Sequence, residues 1–296
     1  ILMQPYNIDA FYYRALSNKK LSNYKHAIND FTQYILLNPE NEEIYHHLGI
    51  CYYNIEKYNR AKESLERYVK FNNENGETHY FLGLINEKIL ELETAIYHYS
   101  KARKLSPKLI DSNLKLGMLH YKSQDYRLAM EPLRDYIIFN PDSTVVLEIL
   151  ADVLYREKRF PESIDAYQRL YASDSTNVDY LFNISNAYIE LKDMQNAKEI
   201  LTRYILLGKV NTEILFTLAN IESELGDYKN SILHYQMAIN IGKPTVSLYY
   251  NLAMSHAQTG DFLQALEAFK NAHTIDWADC FMHYHPVIKE YIASRL

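Results

Sequence analysis

Glycine and proline are scarce in this sequence, with 8 of each among 296 residues. A chain of short strands needs many more such breakers at its turns, so the shortage argues against an all-β fold and favours helices. A basic excess is missing too. Lys and Arg number 31 against 37 Asp and Glu, and the formal net charge is -6. Neither half of the chain is basic, so no nucleic-acid partner is expected, because phosphate neutralisation demands a positive stripe. No apolar run approaches the ~18 residues of a membrane span. The start Ile1-Leu2-Met3-Gln4-Pro5 has neither the charged beginning nor the apolar stretch of a signal peptide. Direct membrane insertion is therefore not expected, and the compartment stays open between cytoplasm and periplasm.

Motifs that carry chemistry are missing as well. Cys51 and Cys280 have no motif around them and read as free thiols. So few glycines supply no phosphate loop. Among the histidines, His46 and His47 are direct neighbours, which point about 100° apart on a helix instead of sharing a face as i, i+4 ligands do. His283 and His285 are separated by one tyrosine, and His120 and His256 stand singly. No catalytic residue, cofactor or metal site is expected, and the chain is read as a non-enzyme.

What the sequence does carry is a period. Ala27, Ala61, Ala95, Ala129, Ser163, Ala197, Ser231 and Ala265 lie on one 34-residue ruler. Twelve residues earlier runs a second small series, Ala15, Gly49, Gly83, Gly117, Ala151, Ser185, Ala219 and Ala253. Leu48, Leu82, Leu116, Leu150, Ile184, Leu218 and Leu252 precede the second series, with Arg14 alone departing. Large residues Phe31, Leu65, Tyr99, Leu133, Tyr167, Leu201, Tyr235 and Phe269 follow the first series by four. The pattern predicts two helices per repeat, crossing closely at the small residues with large apolar side chains packed around the crossing. One such hairpin cannot bury its apolar face alone, whereas stacked neighbours build a continuous core.

These residues resemble the tetratricopeptide repeat family, whose aromatic, Leu-Gly, Tyr, Ala, aromatic pattern is met by Tyr45, Leu48, Gly49, Tyr52, Ala61, Leu65 and Tyr68, with closing prolines at Pro39, Pro107 and Pro141. The resemblance implies an all-α fold, a right-handed superhelix of eight helix-turn-helix repeats over residues 8–279, starting near 8, 42, 76, 110, 144, 178, 212 and 246. Residues 1–7 are then a leader or a truncated upstream repeat. Pro286, Val287, Ile288, Tyr291, Ile292 and Leu296 suit a capping helix within 280–296. One departure stands out: a usually small position late in the second helix holds Tyr34, Tyr68, Tyr136, Leu170 and Tyr204, keeping alanine at Ala102, Ala238 and Ala272.

The resemblance also implies that the first helix of each pair lines a concave groove and that its off-motif positions hold the ligand. The fifth position reads Tyr12, His46, Tyr80, Leu114, Glu148, Phe182, Phe216 and Tyr250. The ninth reads Leu16, Ile50, Leu84, Met118, Asp152, Asn186, Asn220 and Met254. Tyr53 and Tyr121 extend an apolar, aromatic strip along repeats one to four, while Asn183 and Asn251 join the C-terminal Phe/Asn zone. Tyrosine suits an interface because it buries area with a satisfiable hydroxyl, and spaced asparagines suit gripping a peptide backbone. At least half of the fifth-position aromatics are expected to stand open in the groove. Glu148 and Asp152 form an acidic spot for a basic ligand residue. No repeat joins a fifth-position lysine to a ninth-position asparagine, so a carboxylate clamp is not expected. The leading expectation is a protein-interaction scaffold that takes an extended peptide or a helix in its concave groove. The alternatives are the substrate-recruiting arm of a larger enzyme, such as a glycosyltransferase, kinase or phosphatase, and homo-oligomer formation through the first repeat.

Overall fold

A computed structural model of the protein describes residues 8–275. The expected leader, Cys280, His283, His285 and the capping helix lie outside them. The described residues form sixteen helices and no strand, and they divide after Val153 into two compact units. Unit one holds α1 (Ile8–Lys20), α2 (Tyr24–Leu37), α3 (Glu43–Asn54), α4 (Tyr58–Phe71), α5 (Gly76–Lys88), α6 (Leu92–Leu105), α7 (Asp111–Lys122) and α8 (Tyr126–Phe139). The division falls within α9 (Thr144–Arg156). Unit two continues with α10 (Phe160–Ser173), α11 (Asp179–Glu190), α12 (Met194–Leu206), α13 (Thr212–Glu224), α14 (Tyr228–Ile241), α15 (Val246–Thr259) and α16 (Phe262–Ile275).

Within each unit, consecutive helices pack as hairpins, α1 on α2 through α7 on α8 and α11 on α12 through α15 on α16, and each hairpin packs on the next. Every residue of both small series is buried. The reason is close approach. A Cβ added to Gly83 would sit 2.5 Å from a ring carbon of Tyr99, and one on Gly117 would sit 2.7 Å from Leu133. Only hydrogen fits there, so the helices cross where the sequence is smallest. Arg14, the departure from the leucine series, reaches out and forms a two-pronged ion pair with buried Asp30, which also accepts from Asn18 Nδ2 at 3.3 Å.

The turn inside each hairpin has a second period that composition hides. Ser22, Glu56, Leu90, Gln124, Lys158 and Lys192 adopt φ between 58° and 64°, and Gly226 and Gly260 take φ of 78° and 86°. All eight stand 34 residues apart. At each, the next residue donates its N–H back to a carbonyl five residues earlier, as Lys57 does to Tyr52 and Asp227 to Glu222. The left-handed residue itself donates three residues back, as Glu56 does to Tyr53. This double closure is the Schellman motif, which satisfies the last carbonyls of the first helix.

Two of the late second-helix tyrosines, Tyr34 and Tyr68, are tied to the turns between hairpins. Tyr34 and Tyr68 are buried, and each hydroxyl accepts from two asparagine side chains of the following turn: Asn38 at 3.2 Å and Asn41 at 3.1 Å, Asn72 at 3.2 Å and Asn75 at 3.4 Å. Tyr204 donates to Asp179 at 3.1 Å. At Tyr34 and Tyr68 a buried ring with a bonded hydroxyl thus fastens one hairpin to the turn that leads to the next, whereas Tyr204 ties together the two helices of its own hairpin, Asp179 being the first residue of α11.

Candidate protein-binding face

In unit one the first helices α1, α3, α5 and α7 carry Tyr12, Leu16, Tyr53, Tyr80, Leu84, Leu114, Met118 and Tyr121, all half-buried. His46 and Ile50 differ from the rest of their series, being only 6% and 5% exposed. His46 is drawn inward because Nδ1 bonds Thr78 Oγ1 at 2.9 Å, Nε2 faces Glu77 at 3.4 Å and the ring packs on Tyr68. Both residues are packing groups and offer no surface to a ligand.

The fifth-position rings are half-buried rather than open, because each leans on a ring of the second helix in its own hairpin. Centroid separations are 5.5 Å for Tyr12 and Tyr34, 6.0 Å for Tyr80 and Tyr99, 5.7 Å for Phe182 and Tyr204, 5.9 Å for Phe216 and Tyr235, and 5.7 Å for Tyr250 and Phe269. The supporting ring follows a rule. Where the late position is Tyr34, Tyr68 or Tyr204, that tyrosine supplies it. Where the late position is Ala102, Ala238 or Ala272, the ring comes from three residues earlier, at Tyr99, Tyr235 or Phe269. One face of each fifth-position ring is therefore fixed, and the remaining area is presented in a defined orientation.

Polar partners along this face are arranged in pairs. Tyr99 donates to Glu87 at 2.8 Å, and Lys115 reaches the same carboxylate at 3.2 Å. Burial pushes the Glu87 carboxyl up, but these two donors outweigh it and hold the group below its ordinary value. Burial, helped by Asp111, pushes the Tyr80 hydroxyl up to about 12, so it is a neutral donor at physiological pH. Tyr121 donates to Asp152 at 2.9 Å, while Glu148 is exposed.

In unit two, Asn220 is committed inside the protein: its Oδ1 accepts from Tyr235 at 2.6 Å and from Asn251 Nδ2 at 2.8 Å. Asn183 and Asn186 are half-buried, and their side chains make no hydrogen bond among the described residues. Phe182, Phe216, Tyr250 and Met254, on α11, α13 and α15, are half-buried too. Asp179 is engaged by Tyr204 and by Lys209 at 3.4 Å.

Candidate chemistry elsewhere is sparse. Cys51 is buried, and burial pushes its thiol up to about 11. His120 and His256 are 8% and 7% exposed, and burial lowers both against the pull of Asp125 and Asp261. Among the described residues no three His, Cys, Asp or Glu side chains are grouped to hold a metal ion, and no helix is long and apolar enough to cross a membrane.

Helix pairs crossing at small residues, joined by Schellman turns on one fixed period, define a helical-repeat interaction module. Tetratricopeptide repeat models match residues 42–75, 114–178, 178–207 and 246–276, together more than half of the sequence. The chain belongs to the tetratricopeptide repeat family. A search of curated proteins finds no match. Among solved structures, a chain of the Naa15/Naa10 complex bound to HypK-THB is similar over 79% of this chain and 37% of its own length, with a TM-score of 0.61 and 16% identity. YrrB, described as a TPR protein with an unusual peptide-binding site, aligns over 60% of this chain and 91% of its own, with a TM-score of 0.50 and 19% identity. A MamA protein aligns over 59% and 95%, with a TM-score of 0.51 and 17% identity. At such identities the likeness is one of fold.

Proposed function

We propose that the protein is a non-catalytic scaffold whose first-helix face, a groove in this family, holds an extended peptide or a helix of a partner protein. The observation that carries this reading is the row of half-buried apolar side chains on successive first helices of unit one. Such side chains keep area that a partner can cover, and their fixed backs reduce the ordering cost of binding. The description of YrrB as holding a peptide-binding site favours a polypeptide ligand over a small molecule. Within unit one, Glu148 and Asp152 would receive a basic residue of a ligand; within unit two, taken by itself, the amides of Asn183 and Asn186 would bond a polypeptide backbone.

The test avoids ring pairs that also support the hairpins. Leu114→Glu with Met118→Glu changes two half-buried positions outside the clustered buried core. Affinity capture from cells of the source organism should lose its specific prey, while helicity and melting stay unchanged. Undiminished capture by this well-folded double variant would remove the first-helix face from the proposal.

A further inference from the structure

On the side of unit one formed by its second helices, a cavity of about 450 Å³ opens between α6, the first turn of α7 and α8. Its size falls within the roughly 300–1,000 Å³ of ligand pockets. None of the candidate groove residues lines it.

The cavity has an origin in the repeat. Asn113 occupies the fourth position of its repeat, where the other seven have Phe11, Tyr45, His79, Leu147, Leu181, Leu215 and Tyr249. The substitution withdraws a large packing group and leaves a polar one in its place. Asn113 is 4% exposed, it lines the cavity, and its Oδ1 is enclosed with no hydrogen-bond partner. Its side-chain amide makes no hydrogen bond at all among the described residues. A buried polar group left unpaired costs about 1–3 kcal/mol and calls for a partner.

The rest of the lining says which partner. Arg103 is held by Asp135, which also lines the cavity, through Nη2 at 2.6 Å and Nε at 3.2 Å, and the same Nη2 stands 3.8 Å from Glu131, so only its remaining nitrogen is uncommitted and the unneutralised charge of the cavity is that of Lys104. Lys104 lines the same cavity, is exposed and has no carboxylate partner among the described residues. Phe139, 66% exposed, closes one wall with its ring. A lysine cation, an aromatic wall and an amide whose oxygen is unpaired are thus joined around one space.

We propose that this cavity is a second polypeptide-binding site, separate from the first-helix face, for a short segment of a partner in which a Glu or Asp lies next to a large apolar residue. The segment's peptide group pairs with the Asn113 amide, which matches it donor for acceptor. Its carboxylate takes the charge-assisted bonds offered by Lys104 and Arg103. Its apolar side chain covers Phe139 and occupies the room vacated at the fourth position.

The experiment is an NMR titration of the isotope-labelled full chain with the capped tripeptide acetyl-Leu-Glu-Leu-amide. Amide shifts are expected in α6, the start of α7 and α8. Affinity should drop about tenfold when Gln replaces Glu in the peptide, and also with Lys104→Gln. Asn113→Leu restores the residue type of three other repeats, so it should fold at least as well, yet it should abolish the shifts. The groove variant Leu114→Glu with Met118→Glu should keep them, so failure there is distinguishable from failure here. No saturable shifts up to millimolar peptide, shifts that survive Asn113→Leu, or equal binding of the Gln peptide would overturn the site. So would displacement of nothing but water, seen as shifts indifferent to peptide sequence.

Discussion

Replacing Leu90 with glycine should stabilise the protein. Leu90 holds φ at 64° and is 81% exposed, so its side chain contributes little burial while its backbone sits where L-residues are disfavoured by about 1–2 kcal/mol. Glycine removes that cost but brings a larger loss of chain entropy, roughly 0.5–1 kcal/mol. The net gain for Leu90→Gly therefore lies between about 0 and 1.5 kcal/mol and centres on about 0.5–1 kcal/mol. The mirror experiment is Gly226→Ala, at φ of 78° with nothing within 4 Å of the added Cβ, which should lose about 1 kcal/mol through the backbone alone. Repeat proteins open locally as well as globally, so the sharper assay is native-state hydrogen exchange of α5 and α6, where the gain slows exchange about two- to fivefold. A urea midpoint that rises with unchanged slope gives the global check. The four non-glycine turns of unit one, at Ser22, Glu56, Leu90 and Gln124, belong to four different hairpins, so their effects should add. Exchange that is unchanged or faster in Leu90→Gly, with Gly226→Ala neutral, would refute the claim that these turns are strained.

Stability should also fall on mild acidification. Burial, reinforced by Lys19 and His46, holds His47 down to about 4, and burial with His79 and Lys62 does the same to His98. Below pH ~6.5 the unfolded chain takes up these protons and the folded chain does not, so stability present above that value is lost as pH falls toward 4, on the order of 1–2 kcal/mol per histidine once solvent screening of the partly exposed rings is discounted. Melting between pH 7 and pH 4 checks it, and His98→Gln should flatten the slope. Separately, Tyr68→Phe should cost about 0.5–1.5 kcal/mol by stranding the amides of Asn72 and Asn75; a melting midpoint equal to the parent's would show that these bonds merely replace water.

The repeat was legible because its determinants are local and obligatory. A close helix crossing writes glycine, alanine or serine into the sequence at a fixed spacing, as at Gly49, Ala61 and Ser185. The turn conformation was not legible, since six of its eight positions hold Ser, Glu, Leu, Gln or Lys, residues that announce nothing about φ. Ring exposure was missed for another reason. Whether His46 faces a ligand or packs inward depends on Thr78 and Glu77 in the next hairpin, a relation between repeats that spacing within one repeat does not encode. Asn220 looked like a peptide-gripping amide, yet Tyr235 and Asn251 claim its oxygen. Asn113, by contrast, had a visible signal: a small polar residue at a position otherwise filled by rings and leucines.

The supporting rings have a consequence for how such an array can be cut and rejoined. A crossover inside a second helix that joined the Leu65 part of one repeat to the Ala102 end of another would leave the fifth-position ring without its support. Joining the Tyr99 part to the Tyr68 end would crowd two rings into one hairpin. The first repeat has both Phe31 and Tyr34 only because Phe31 stacks instead on His47 of the next hairpin, at 5.4 Å. Crossovers between hairpins keep each pair of positions on one piece. The exchangeable unit of this protein is therefore the hairpin together with the turn asparagines that follow it, and chimaeras spliced beyond those asparagines should fold where those spliced inside a hairpin do not.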